Sequence, residues 1–189
     1  MLEVSNIEVY DLRQSVISCR NSMRTETPDY SDDEFEKSFE RAKKLAPLDG
    51  GHNNFLCGIR VSFDLKYPNY ISPELQRYHF LDIVNSQSKM HKIMHMNFDK
   101  CCNKYVNEQT INNMKSLISE YNTNQCYTNF MRVISNCPQG IELFMRCSTN
   151  YLQLRNIYKQ RKSHKLKEDW GAFCNFIEKL PFANDFILC

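Results

Sequence analysis

The chain has 189 residues, 42% of them hydrophobic and 24% charged, with a formal net charge of +2. That length can bury one substantial core and predicts a single domain over residues 1–189, while so small a net charge argues against a dedicated nucleic-acid binder, which carries a strongly basic face. No stretch approaches the ~20 apolar residues that span a bilayer, and the N-terminus lacks the basic start and apolar run of a secretory signal, so a cytoplasmic protein with no membrane partner is expected.

The nine cysteines include no C-x-x-C pair, the closest neighbours being Cys101 and Cys102. Reduced, mostly buried thiols are therefore expected rather than a disulfide scaffold or a zinc site. The five glycines among many Asn, Lys and Ile residues suggest an AT-rich coding genome, such as that of a low-GC bacterium or its phage.

In chain order, LEVSNIEVY places apolar Leu2, Val4, Ile7 and Val9 among polar residues and predicts a strand. A short helix is expected over Ser15 to Met23. Ser31, with Glu34 three residues on, predicts the capped start of a helix from Asp32 to Leu45 that ends near Pro47 and Gly50-Gly51. Phe55 to Leu65 reads as a strand, with Ile59, Val61, Phe63 and Leu65 at alternate places. Ser72-Pro73-Glu74 opens a helix with proline in the first turn. His79 to Val84 fits strand or helix, and Ser88 to Phe98 has helical spacing. Ile111, Met114, Leu117 and Ile118 mark a helix over Asn107 to Tyr121, followed by a second over Tyr127 to Ser135. Ile141 to Cys147 alternates as a strand; Asn150 to Lys162 and Asp169 to Leu180 read as helices, the last stopped by Pro181. Helices and strands in this irregular order predict an α/β or α+β domain with a mixed sheet flanked by helices.

Three blocks carry a family resemblance. Gly51-His52, Phe55-Leu56 and the strand ending Val61-Ser62-Phe63 are similar to a GH-x-S-x-x-EH…F-x-F entry. Tyr78 to His91, YHFLDIVNSQSKMH, aligns without gaps on R-H-R-x-x-S-x-N-E-x-S-x-R-Y. PQGIELFMRCSTNYLQLRNIYKQR is similar to a late strand and helix that hold an Asn followed eleven residues later by an Arg, here Asn150 and Arg161. Together these blocks resemble the flavin-dependent thymidylate synthases. In the second block His79, Asn85 and Ser88 keep the pattern; Tyr78 and Phe80 stand at the first two arginines, while Ile83, Ser86, Met90 and His91 stand at the later Ser, Glu, Arg and Tyr. The resemblance implies an α/β domain that assembles as a homotetramer, with flavin and nucleotide sites at subunit contacts. It also implies impaired chemistry: arginine forks grip phosphates bidentately, and aromatic rings in their place can stack a base but hold no pyrophosphate.

Arg155 to Lys167 is the densest positive tract, and a helix there puts Arg155, Lys159 and Lys162 on one face beside Tyr158. Ser86 to Lys92 gathers hydroxyls, an amide, an ammonium and an imidazole in seven residues. His91 and His95 have chelating spacing but no third ligand, so no metal is expected. The combined reading is a noncatalytic binder of a small nucleotide on a degenerate thymidylate-synthase fold. Its specific form is a phage anti-defence protein that sequesters a cyclic or modified ADP-ribose immune signal. The expected pocket uses Tyr78, His79, Phe80, Ser88, Lys89, Asn150, Arg155, Tyr158, Arg161 and Lys162, with no catalytic residue, no cofactor, and a dimer or tetramer as the assembly. The alternative is a divergent FAD-dependent enzyme that methylates dUMP.

Overall fold

The computed structural model describes residues 1–189. The elements are β1 (Glu3–Tyr10), α1 (Leu12–Ser18), α2 (Asp32–Leu45), α3 (Phe55–Gly58), β2 (Arg60–Pro68), α4 (Ser72–Leu75), β3 (Asp82–Ser86) and α5 (Lys89–Lys92) in the first half. They continue with α6 (Phe98–Cys101), α7 (Glu108–Thr123), α8 (Tyr127–Asn136), β4 (Glu142–Asn150), α9 (Tyr151–Arg161), α10 (Lys167–Glu178) and α11 (Ala183–Phe186).

The four strands form one sheet in the order β1-β2-β4-β3. The α+β class follows the expectation, and the sheet is antiparallel in all three pairings rather than mixed. Strand alternation separates its faces. Val61, Phe63 and Leu65 of β2 and Leu143, Met145 and Cys147 of β4 point into the main core, where Phe63 meets Phe173 and Phe176 of α10 edge-on or tilted at 5.9 and 5.0 Å between ring centres. Burying one such side chain contributes about 1.5–3 kcal/mol. Asp64 and Arg146 are paired in register on the opposite face. β1 and β3 are the edge strands, and all five residues of β3 are exposed.

Ser31 caps α2 by accepting the Glu34 N–H at 3.2 Å; Asp32, Asp33 and Glu34 fill the first turn and Lys43 and Lys44 the last, which suits the helix dipole. The predicted strand from Phe55 is corrected: residues 55–58 are one helical turn, and β2 starts at Arg60. Phe55 and Leu56 are consecutive and both buried, which one helical turn packed into the core accommodates. Gly58 follows because a Cβ there would lie 2.3 Å from Ser15 Oγ. The helix expected over Ser15 to Met23 is α1 plus a separate 3-10 turn at Asn21–Met23.

A smaller apolar cluster joins Ile93 and Phe98 to Met114 and Leu117 of α7, Val133 of α8 and Ile141. It anchors the 93–101 segment beside the sheet. At the other end Asp169, 4% exposed, accepts the Leu2 N–H at 3.0 Å and the Tyr70 hydroxyl at 2.7 Å. Burial and that carboxylate together raise the Tyr70 pKa. No helix is long and apolar enough to cross a membrane.

Glu34 ties α2 to the preceding turn through Arg24 and Arg20. Its carboxyl is held below the ordinary glutamate range, first by the Arg24 hydrogen bond and also by Ser38. A depressed folded-state pKa contributes stability above the unfolded value and loses it as pH falls through the folded one. Melting curves of wild type and Glu34→Gln should therefore diverge at neutral pH and converge in acid; an equal gap at every pH would contradict this role.

Candidate functional site

A cleft of about 800 Å³ opens where the end of β3 and the middle of β4 meet the 87–101 segment. Gln87 extends the β3–β4 pairing by donating its N–H to the Phe144 carbonyl at 2.9 Å. Ser88 then leaves the sheet and caps α5, its hydroxyl accepting the His91 N–H at 3.3 Å. The packing of Ile93 and Phe98 fixes the segment that follows, so Lys92, His95, Asn97 and Lys100 all line the cleft opposite Phe144 and Arg146.

The cations there differ in availability. Arg146 bonds Glu8 at 2.9 Å, Asp64 at 3.2 Å and the Asn6 carbonyl at 2.8 Å. In return Asn6, and after it Arg146, holds the Asp64 carboxyl below its ordinary range. Lys92 and Lys100 have no carboxylate within ion-pair distance. Phe144, 60% exposed, and Met96 supply apolar surface. Two uncommitted ammonium groups beside an uncovered ring suit a ligand that is anionic at one end and flat and apolar at the other.

Of the expected site residues, only Ser88 lines this cleft. Lys89 is half-buried beside it in sequence, and His79 and Phe80 are exposed at the far end of β3. Tyr78 is buried and committed: its hydroxyl donates to Gln160 Oε1 at 3.0 Å and accepts from Arg161 Nε at 2.7 Å. Arg161 also pairs with Glu74 at 2.8 Å and lies 4.3 Å from the Trp170 ring centre. Asn150 caps α9 by accepting the Gln153 N–H at 2.9 Å, Tyr158 donates to Glu178 at 2.8 Å, and Lys162 is exposed.

The shared basic face of α9 is corrected. Arg155 is only 2% exposed and donates to the Pro47 carbonyl at 3.1 Å, because it follows Tyr151 by one turn on the side that also carries Leu154 into the core. Lys159 and Lys162 lie in solvent. The side chains that sequence reasoning missed are Lys92, His95, Lys100 and Arg146. Lys92 closed a tract already marked as polar, and His95 was marked only as half of a chelating pair; Lys100 and Arg146 gave no signal, since only folding brings them to the cleft.

No protein-family model and no curated protein matches this chain. Solved structures do. A crystal structure of the flavin-dependent thymidylate synthase ThyX from Helicobacter pylori, complexed with FAD and dUMP, superposes with a TM-score of 0.79 at 18% identity, over 99% of each chain. A second structure of Helicobacter pylori ThyX, also with FAD and dUMP, gives 0.77 at 17% identity, over 98% of this chain and 96% of that one. The chain therefore has the fold of the flavin-dependent thymidylate synthases, as the three sequence blocks implied. The same finding corrects the expectation of no cofactor: both similar structures hold FAD on this fold.

Proposed function

We propose that this protein binds a phosphorylated nucleotide, a flavin nucleotide foremost, in the cleft at Ser88, and that it captures its ligand rather than methylating dUMP. The observation that carries this is the pair of uncommitted ammonium groups, Lys92 and Lys100, facing the exposed Phe144 ring. The FAD and dUMP in the two similar structures support nucleotides as the ligand class. The residues present fit a flavin: Lys92 and Lys100 would meet its phosphate, and Phe144 with Met96 would cover its ring. When bound, a flavin supplies two-electron transfer.

Capture is favoured over turnover by what stands at the signature's arginine positions. Tyr78 spends its hydroxyl on Gln160 and Arg161, Phe80 presents a ring, and Met90 brings no charge. Assembly of like chains belongs to the same reading. Phe80 and Val84, each 64% exposed, put apolar surface at the edge strand β3, a surface that a second copy would cover.

Thermal shift against a panel of FAD, FMN, dUMP and a cyclic ADP-ribose tests the reading. A ligand at 100 times its Kd adds about 2.7 kcal/mol of stability, which for a chain of this size raises Tm by roughly 5–10 °C. A shift with the flavins supports flavin binding, and a shift with cyclic ADP-ribose alone supports capture of an immune signal. No shift with any member would overturn nucleotide binding.

A further inference from the structure

Away from the cleft, a trough of about 720 Å³ lies between the end of α1, the face of α2 and the Gly50-Gly51 bend. Lys37, Arg41 and Leu45 follow one another at four-residue intervals along α2 and all line it, together with Arg20 and His52. No carboxylate lines it. None of the five acidic residues of the helix lines it: Glu40 pairs with Lys43 and Asp32 with Arg13, each at 2.7 Å, and Glu34 is shared by Arg20 and Arg24. Lys37 and Arg41 have no carboxylate partner, so two arginines on one acid add to two unpaired cations. The surplus reaches Cys19 in the trough wall. Burial raises its thiol pKa, and Arg20, Arg41 and Arg24 pull against that rise.

The backbone adds donors. Gly50 and Gly51 have φ of +69° and +90°, a bend that side chains rarely tolerate. The N–H groups of Gly51 and His52, both residues of the trough wall, find no acceptor within the chain. Unpaired amides beside converging cations form a concavity suited to an anion. Lys37 and Arg41 are separated by about 6 Å of helix rise, which suits an extended anion better than a single small ion.

We propose that this trough is a second anion-binding site, separate from the Ser88 cleft, which takes a diphosphate or longer phosphate chain, free or carried on a nucleoside. The two sites share no residue, so the proposal can be tested alone. Calorimetry at low salt would titrate inorganic pyrophosphate, and separately ADP, into a Lys92→Gln/Lys100→Gln protein, in which the cleft is disabled. Pyrophosphate should still bind, and adding Lys37→Gln and Arg41→Gln should weaken that binding about tenfold or more. Both side chains are exposed, so the ligand-free melting temperature should not move. Tighter binding of ADP than of pyrophosphate would assign the ligand to nucleosides, and equal affinity would assign it to the phosphate chain alone. Failure of pyrophosphate to bind, or binding that ignores the α2 substitutions, would overturn the proposal whatever happens at the cleft.

Discussion

Replacing Lys92 and Lys100 together with glutamine should lower affinity for the nucleotide about 100-fold while leaving the fold intact. A hydrogen bond to a charged group is worth about 1.5–3 kcal/mol, and two lost at the low end make about 3 kcal/mol, or roughly two decades in Kd. Both side chains are exposed and make no ion pair inside the protein, so their charge stabilises nothing else here. Arg146 is the contrast: it already satisfies Glu8, Asp64 and the Asn6 carbonyl, and its removal should cost stability as well as affinity. The binding isotherm and the ligand-free melt of the double variant decide the matter. Unchanged affinity would remove the cleft from the account. The same affinity should also fall with salt, because exposed ammonium groups are screened.

The second large effect is structural. Trp170→Ala should destabilise the protein by about 3–5 kcal/mol, roughly a 10 °C loss in Tm at this chain length. The indole is fully buried, its Nε1–H donates to Glu74 Oε2 at 2.8 Å, and one face carries the Arg161 guanidinium. Truncation therefore empties a core site and strips a partner from a carboxylate and a cation at once. Trp170→Phe keeps most of the ring volume and should cost well under half as much. A loss below about 1 kcal/mol for the alanine variant would mean that α9, α10 and the Glu74 turn are held by something other than this cluster.

How much of this was legible in the chain depends on how local each signal is. The α2 helix was readable to the residue because its cap, its acidic first turn and its basic last turn are all sequence-adjacent. The helix over Asn107 to Tyr121 was likewise readable from its apolar spacing, and α7 spans Glu108–Thr123. Phe55 to Gly58 misled because four apolar or small residues before a strand look like more strand; the contact with Ser15 that fixes the turn lies forty-three residues away. The late α9 tract misled for a related reason. Arg155 sits among Tyr151, Leu154 and Ile157 on the buried side of the helix, and a count of charges does not tell which face the core takes. Ser88 was found because it belongs to a contiguous polar tract. Lys100 and Arg146 were not, since the cleft forms only when the 93–101 segment is pinned by α7 and α8 against a strand more than forty residues further on. The resemblance in three short blocks reached the fold because their order along the chain was kept even where their charges were replaced.

Capture without conversion is tested most directly by identifying what the protein holds. Protein incubated with FAD, FMN and dUMP, with NADPH and a folate one-carbon donor present, would be washed and then heated, and the released small molecules weighed by mass spectrometry. The account predicts an unchanged flavin or other nucleotide, released in proportion to protein and in much smaller amount from the Lys92→Gln/Lys100→Gln variant. A methylated product of dUMP, or no nucleotide at all, would contradict it.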